Sequence, residues 1–233
     1  MATLYIIPSF LAPNAQEHIP PVVVKTINQL DVFIVERTRT TRRFIRSMIQ
    51  DFSIDDSTFI ELDKHDLSNT KLAIKDALSQ NVNIGLLSEA GTPCIADPGS
   101  IVVNMARKEG YLIKPLTGPS SILLALMASG MNGQEFTFHG YLPIKDAPLV
   151  KKLKEISRLA TNQGTTHIFI ETPYRNIKLV EQISKQVDSN LYICIAKNLT
   201  DTNESLSTMQ IKQIKRDLID KSPIIYCIGQ LQS

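Results

Sequence analysis

The sequence has no tryptophan, only three cysteines, and no apolar run long enough to cross a membrane. Cys94, Cys194 and Cys227 are widely spaced and odd in number, so they suit a reducing cytosol better than a disulfide framework. The four histidines lack the spacing of metal ligands. The most apolar stretch, Ile122 to Met131, falls far short of the ~20 residues of a membrane helix, and residues 1–8 lack the features of a signal peptide. We therefore expect a cytoplasmic protein that binds neither a membrane nor a metal.

Charge is nearly balanced, with 25 Lys and Arg against 23 Asp and Glu. The whole-chain charge therefore gives no argument for nucleic-acid binding, which would have to come from local clustering. Of the 233 residues, 43% are hydrophobic and 21% are charged, which is typical of globular proteins. This length fits one large domain or two of roughly 100–130 residues each.

Strand-like and helix-like segments alternate along the first half of the chain. Short apolar or β-branched runs predict strands at 4–7, 32–35, 58–61, 82–87 and 111–113. Helical spacing falls between them, at about 21–30, 40–50, 69–80 and 99–109. This alternation predicts βαβ units and a mostly parallel sheet that is covered on both faces.

The pattern changes near residues 114–121, KPLTGPSS, where two prolines and a glycine interrupt it. A helix of small and apolar residues is predicted at 122–129. Further strands are predicted at 135–141, 166–171, 191–196 and 224–228, with helices near 148–160, 174–187 and 210–219. We therefore predict two α/β domains, residues 1–115 and 116–233.

The most informative segment is Ser88–Gly99, which reads SEAGTPCIADPG and directly follows the apolar run 82–87. It leaves the carboxyl end of a buried strand, where open α/β sheets bind ligands. Ala90 and Gly91 let a ligand approach the backbone closely, and the prolines stiffen the loop. Taken alone, the segment is equally consistent with a tight connection to a helix that Asp97 caps.

Two shorter segments also follow strands or open helices. Thr117–Ser121 is a rigid loop whose hydroxyls and amides suit either a polar ligand group or simple helix capping. Glu171 ends another predicted strand, either as a ligand group or as a charge at a helix start that pairs with Arg175.

Arginine is concentrated between residues 37 and 46, where five of the ten residues are arginine. A solvated helix face accounts for Arg42, Arg43 and Arg46. Arg37 and Arg39 lie at a strand-to-helix junction, where guanidinium groups suit bidentate pairing with phosphate or carboxylate. We therefore expect an anionic substrate, a description that both RNA and a polycarboxylate satisfy.

Taken in order, these segments resemble the tetrapyrrole methylase superfamily, and most of all its branch that methylates a ribose 2′-hydroxyl of small-subunit ribosomal RNA. The family patterns S-D-A-G-T-P-x-I-S-D-P-G and E-D-T-R-x-T match residues 88–99 and 36–41. Further matches are P-G-P-S-A at 117–121, F-x-G-F-L-P at 138–143, E-S-P-x-R at 171–175 and A-R-E-L-T at 196–200. The resemblance spans nearly the whole chain.

The resemblance implies a mostly parallel sheet in the first domain, a mixed sheet in the second, a homodimer, and S-adenosylmethionine bound in the cleft between the domains. The implied cofactor contacts are Pro8, Ala90, Gly91, Thr92, Ile95, Ser120, Ser121, Glu171 and Leu199. Arg37 and Arg39 are the expected substrate-binding residues. Glu36 and Glu89, at two strand ends, are candidate general bases, although a carboxylate near a sulfonium also simply stabilises the cation.

The chain departs from the family pattern in its first loop, where 8–14, PSFLAPN, lacks the glycine of T-P-x-G-N. Arg37 also replaces an acid, and the chain ends soon after its last predicted strand, whereas many ribosomal RNA members carry a C-terminal extension. Three functions are consistent with this pattern. The leading hypothesis is an RNA ribose methyltransferase. The alternatives are a methyltransferase that acts on a tetrapyrrole or other polycarboxylate, and a cofactor-binding protein that has lost catalysis.

Overall fold

The computed structural model describes residues 1–62 and 67–232, which fold into two units, Met1–Ser120 and Ser121–Ser233. The sequence places a domain boundary after residue 115, and the contacts of the two units divide after Ser120. Within the described ranges, no helix is long and apolar enough to cross a membrane.

The first unit is built on a five-stranded sheet in which every neighbouring pair of strands is parallel. Its strands are β1 (Thr3–Ile7), β2 (Val32–Val35), β3 (Thr58–Glu61), β4 (Ile84–Leu87) and β5 (Leu112–Pro115). Their order across the sheet is β3-β2-β4-β1-β5. Because the strands are parallel, all five carboxyl ends lie at the same edge. This confirms the parallel sheet that the alternating pattern predicts.

Helices cover both faces of this sheet. They are α1 (Pro21–Ile27), α2 (Thr38–Met48), α3 (Leu67–Ser79) and α4 (Gly99–Lys108). Phe33 and Val35 of β2 pack with Ile27 of α1 and Phe44 of α2, whereas Ile34 packs on the opposite face with α3 and α4. Apolar side chains on both faces explain why the strands read as continuous apolar runs.

The second unit contains a mixed five-stranded sheet. Its strands are β6 (Phe136–Tyr141), β7 (Thr166–Glu171), β8 (Tyr192–Lys197), β9 (Ser205–Gln210) and β10 (Ile224–Gly229). The order is β6-β7-β10-β8-β9, in which β6 and β7 are parallel and the other three neighbouring pairs are antiparallel. The helices are α5 (Ser121–Ser129), α6 (Asp146–Gln163) and α7 (Asn176–Gln186). The expected α/β fold with a mixed second sheet is therefore confirmed.

The helix predicted at 210–219 is wrong. Two short 3-10 turns, Ile211–Gln213 and Arg216–Leu218, occupy this segment, and extended backbone at Ile214 and Lys215 separates them. The apolar residues of the two turns reach the same core, so their spacing imitates that of one helix. The edge strand β9 was not predicted either, because its sequence, SLSTMQ, has few β-branched residues.

A histidine pair joins β6 to β7. His139 Nε2 lies 2.9 Å from His167 Nδ1, and the two rings stack with their centroids 5.1 Å apart. Burial lowers the pKa of His167 to about 4, helped by His139 and Lys152, and burial also lowers the pKa of His139. Both rings are therefore neutral at pH 7.

Candidate active site

Three loops meet at the carboxyl edge of the first sheet. We name them the β1 loop (residues 8–14), the β4 loop (residues 88–98) and the β5 loop (residues 116–120). Ser9 N–H donates to the Gly91 carbonyl at 3.0 Å, and Gly91 N–H donates to the Phe10 carbonyl at 3.2 Å. The Ser9 hydroxyl also donates to the Ser88 carbonyl at 3.2 Å. These bonds fix the backbone of the β1 loop against that of the β4 loop.

Glycine is required where the loops approach each other most closely. Gly91 has a φ of +68°, and a Cβ there would lie 2.8 Å from Leu11 Cδ2 and 3.2 Å from the Pro119 carbonyl oxygen. A Cβ on Gly118 would lie 2.2 Å from the Pro8 ring. The Thr92 hydroxyl donates to the Pro119 carbonyl at 2.9 Å and joins the β4 and β5 loops.

The β4 loop holds two non-glycine residues in the left-handed region, Cys94 at φ +72° and Ala96 at φ +64°. Such conformations cost about 1–3 kcal/mol each and persist only where the surroundings enforce them. Asp97 does so by accepting hydrogen bonds from Cys94 N–H at 2.8 Å and Gly99 N–H at 2.7 Å. Burial raises the pKa of the Asp97 carboxyl, and these hydrogen bonds oppose that shift. Burial, with Asp97, raises the pKa of the Cys94 thiol to about 11, so this thiol is no nucleophile at neutral pH.

The two candidate general bases lie at neighbouring strand ends. Glu36 follows β2 and Glu89 follows β4, and the Glu89 N–H donates to Glu36 Oε2 at 3.2 Å. Glu89 Oε1 accepts from the Thr40 hydroxyl at 3.4 Å and lies 3.3 Å from Arg37 Nε. The sequence places both carboxylates at strand ends, and the structure brings them together with Arg37 because β2 and β4 are neighbours in the sheet.

A cavity of ≈ 400 Å³ opens between the β1 loop and α2. The residues that matter chemically in its lining are Ser9, Phe10, Thr40, Arg43, Ser47 and Glu89. Sequence reasoning assigned Arg43 to a solvated helix face and did not single out Thr40 or Ser47. The signal was present in the i, i+3, i+7 spacing of these three residues, which puts them on one face of α2.

The arginines of the cluster differ in their partners. Arg42 and Arg46 both contact the Asp55 carboxylate, the latter at 4.0 Å. Neither Arg39 nor Arg43 has a carboxylate within ion-pairing distance among the described residues. Arg37 and Arg39, both expected to bind the substrate, therefore differ, because Glu89 pairs with Arg37 and no carboxylate of the described residues pairs with Arg39.

The remaining predicted cofactor residues of the first unit lie on the same loops. Pro8 is buried directly after β1, Ala90 is exposed, and Ile95 is 47% exposed although it is apolar. Ser120 is half-buried at the end of the β5 loop. An exposed alanine and an exposed isoleucine at a sheet edge offer a ligand close backbone approach and an apolar surface.

The second unit holds the other three predicted cofactor residues. Ser121 begins α5, Glu171 ends β7, and Leu199 follows β8. The carboxylate of Glu171 is buried, pairs with Arg175 Nη2 at 3.0 Å and accepts the Thr172 N–H at 2.7 Å. Leu199 is buried in the core against α5. Both side chains therefore have structural partners of their own within the unit.

The described residues contain no group of three or more metal-ligating side chains. The chemistry at the first sheet's edge consists instead of carboxylates, arginines, small residues and a polar cavity. A parallel sheet with such loops at its carboxyl edge defines an α/β protein that binds a small ligand there.

Residues 11–215 match the family model of the Tetrapyrrole (Corrin/Porphyrin) Methylases. The chain belongs to this family and is an S-adenosylmethionine-dependent methyltransferase. It is 30% identical over 211 residues to the ribosomal RNA small subunit methyltransferase I of Vibrio cholerae, covering 91% of this chain and 69% of that relative. The Escherichia coli O157:H7 protein of the same name is 30% identical over 203 residues, covering 87% and 67%.

Solved structures share the fold at low sequence identity. The methyltransferase CobJ superposes with a TM-score of 0.68 at 15% identity, covering 99% of this chain and 95% of that one. Uroporphyrin-III C-methyl transferase from Thermus thermophilus, in complex with S-adenosyl homocysteine, gives a TM-score of 0.61 at 12% identity, with 99% and 98% covered. The residues present here fit a sulfonium nucleoside, because exposed Ala90 and Ile95 offer it contact surface and two carboxylates lie nearby.

Proposed function

We propose that the protein transfers a methyl group to a ribose 2′-hydroxyl of small-subunit ribosomal RNA. The observation that carries this proposal is Arg39, an exposed guanidinium in the first turn of α2 that has no carboxylate partner in the described ranges, one residue before the Thr40 that contacts Glu89. An arginine that no described carboxylate neutralises suits a phosphate-bearing acceptor. The relatives that are 30% identical to the chain carry the name of ribosomal RNA methyltransferases, which supports the same acceptor.

S-adenosylmethionine supplies a methyl group that its sulfonium has already activated. In our proposal Pro8, Ala90, Gly91, Thr92, Ile95 and Ser120 of the first unit bind it. For the second unit, the family resemblance assigns Ser121, Glu171 and Leu199 to the same ligand. Since the methyl group is activated, the protein mainly has to align the acceptor hydroxyl with it and exclude water.

Glu89 is the better candidate for the general base. Thr40 and Arg37 both contact its Oε1, and Oε2 has no partner in the described part of the chain. That oxygen is positioned to accept the proton of an attacking hydroxyl. Glu36 Oε2 already accepts the Glu89 N–H, so we assign Glu36 the role of holding the Glu89 backbone in place.

A homodimer is part of the proposal. Helix α5 has apolar residues on most faces, and Leu123 and Met127 are 51% and 78% exposed. Large exposed apolar side chains on one helix are typical of protein interfaces. We expect sedimentation to give twice the chain mass of 26.0 kDa at micromolar concentration, and Met127→Lys to give the single chain mass. A wild-type monomer would refute the dimer.

We also place the protein in the cytoplasm. Cys194 and Cys227 face each other on the neighbouring strands β8 and β10, and both are free thiols. Free cysteines in such a pair suit a reducing compartment.

The acceptor is tested by incubating the purified protein with S-adenosylmethionine and small-subunit ribosomal RNA, followed by mass-spectrometric mapping. A 2′-O-methyl group blocks alkaline cleavage of the next phosphodiester, so the methylated site appears as a gap in the hydrolysis ladder. The substrate RNA comes from a deletion strain. We expect one such gap after incubation with the protein and no gap at that position before incubation. Methyl transfer to a tetrapyrrole but not to RNA would replace this proposal with the polycarboxylate alternative. Cofactor binding without transfer to either would favour an inactive protein.

A further inference from the structure

Arg39 and Arg43 lie near each other on the surface of α2. They are four residues apart, so their side chains are neighbours one turn apart on the helix surface. Neither has a carboxylate partner in the described ranges, whereas Arg37, Arg42 and Arg46 all do. Two like charges in this arrangement repel each other, and bound anions remove that repulsion.

The cavity beside Arg43 has the size and the polar lining to bind a small polar ligand as well as an anion. Arg43 lies in its wall together with the hydroxyl-bearing residues Thr40 and Ser47 of α2. The volume of ≈ 400 Å³ falls within the range of pockets that enclose small ligands, about 300–1,000 Å³. The Arg43 guanidinium can donate to a polar ligand, and the two hydroxyls, which donate to Glu89 and to the Phe44 carbonyl, can still accept hydrogen bonds from it.

The opposite wall of the cavity belongs to the β1 loop and carries an aromatic surface. Phe10 is half-buried and packs edge-on against Phe44, with the ring centroids 4.8 Å apart and the rings at 82°. This contact holds the Phe10 ring in a fixed orientation. Unpaired RNA bases are commonly bound by stacking on such side chains. The β1 loop, which lacks the family's glycine, thus supplies an aromatic wall in its place.

Glu89 and Ala90 line the same cavity. A group bound there therefore lies next to the carboxylate to which we assign the acceptor's proton. The cavity adjoins the β4 loop on the side of α2, and its lining includes none of Thr92, Ile95 and Ser120. Ala90, which we assign to the cofactor, lines the cavity too, so the acceptor subsite adjoins the cofactor site at this residue.

We propose that the cavity between the β1 loop and α2 receives the acceptor nucleotide of a single-stranded RNA segment. The base lies against Phe10, and Arg43 and Arg39 bind the phosphates on either side of the ribose. The inference rests on the proposed function and deepens it, because it assigns a binding site to the acceptor nucleotide and a role to Arg43.

The test uses full-length protein and a ribonucleoside 3′,5′-bisphosphate, which carries one base, one ribose and both phosphates. We expect Arg43→Gln to weaken binding of this probe about tenfold or more, because a charge-assisted contact is lost. With ribosomal RNA, the same variant should reduce the slope of log affinity against log salt concentration by the amount that corresponds to about one phosphate contact. Affinity for S-adenosylmethionine should stay within about twofold of wild type.

Arg46→Gln is the matched control, since it removes the same charge from the same helix but from a residue that pairs with Asp55. Ser47→Phe tests the cavity separately by filling it while keeping both arginines. It should raise KM for RNA and leave the salt dependence of RNA binding as in wild type. Equal probe affinity in the Arg43→Gln and Arg46→Gln variants would overturn the inference. Loss of cofactor affinity in Arg43→Gln would also overturn it, because the cavity would then belong to the cofactor.

The inference and the proposed function fail in different ways. If wild type methylates ribosomal RNA and Arg43→Gln does so with unchanged kinetics, the cavity assignment is wrong and the proposed function stands. If wild type binds the bisphosphate through Arg43 but methylates no RNA, the cavity assignment is supported and the proposed acceptor is wrong.

Discussion

The Arg37 guanidinium lies 3.3 Å from the Glu89 carboxylate, so the positive charge that follows β2 is balanced by the negative charge that follows β4. Both side chains are substantially exposed, at 64% and 40%. Exposed pairs of this kind typically contribute about 0–1 kcal/mol to stability. Their contact therefore serves to orient Glu89 at the sheet edge more than to stabilise the fold.

The first prediction compares the two arginines that the sequence treats as equivalent. Arg39→Gln should weaken RNA binding by roughly tenfold, because its charge has no carboxylate partner among the described residues. Arg37→Gln should weaken RNA binding less and lower kcat more, because Glu89 loses its orienting partner. Both should leave cofactor affinity nearly unchanged. Titrations with RNA and with S-adenosylmethionine on each variant measure these effects, and equal RNA affinities for the two variants would contradict the assignment.

The second prediction concerns Gly91. Gly91→Ala should abolish or strongly reduce S-adenosylmethionine binding, because the new Cβ meets Leu11 and the Pro119 carbonyl at a strained φ. Gly110→Ala is the matched control, since Gly110 also has a positive φ, +79°, but no atom lies within 4 Å of its Cβ position. We expect the control to lose about 1 kcal/mol of stability and to bind the cofactor normally. Calorimetry of a folded Gly91→Ala protein with wild-type affinity would refute the role of the β4 loop.

Third, Glu89→Gln keeps the shape of the side chain and removes its charge and basicity. If Glu89 takes the acceptor's proton, kcat should fall by about 10²–10⁴-fold. KM for S-adenosylmethionine should change little. Glu36→Gln should have a smaller effect on kcat, since Gln can still accept the Glu89 N–H. Single-turnover methyl transfer measures the rate of each variant. A larger fall in rate in Glu36→Gln than in Glu89→Gln would make Glu36 the general base and Glu89 the positioning residue.

Fourth, the histidine pair predicts acid sensitivity. The pKa of His167 is about 4 in the folded protein, whereas a histidine in the unfolded chain has a pKa of 6.5. Between these two pH values the unfolded chain therefore binds more protons than the folded protein. The stability that this group contributes is present above pH 6.5 and is lost as pH falls toward 4, on the order of 3 kcal/mol. His167→Gln should flatten this part of the unfolding profile, measured by denaturant titration at several pH values. His18→Gln, on the surface, should retain the wild-type profile.

The sequence predicted the first sheet well because its signals are local. Strands at 32–35 and 58–61 coincide with β2 and β3, since apolar residues on both faces leave no competing pattern. Gly110 follows α4 in the left-handed conformation, which glycine adopts readily and which commonly ends a helix. The prediction failed in the second unit at 210–219, where two separate turns reach one core with a helix-like spacing.

The candidate site was predicted in part. Parallel topology predicts that Glu36 and Glu89 lie at the same edge of the sheet, but their contact depends on the neighbouring positions of β2 and β4, which the sequence does not give. The cavity could not be predicted from the sequence, because it depends on how Phe10 of the β1 loop packs against Phe44 of α2. The acidic partner of Arg42 could not be predicted either, because Asp55 lies in a loop whose position no local sequence pattern determines.

The strand order also constrains how the chain matures on the ribosome. In the first sheet β1 is hydrogen-bonded to β4 and β5, which begin at Ile84 and Leu112 and are therefore synthesised long after β1. Before β4 is synthesised, β2 can pair with β3, but β1 has neither of its two neighbours, so the backbone N–H and C=O groups of this apolar segment stay unpaired along both edges. Closure of the first sheet is therefore a late, non-local event that nascent-chain protease protection should detect only after residue 115 has left the exit tunnel.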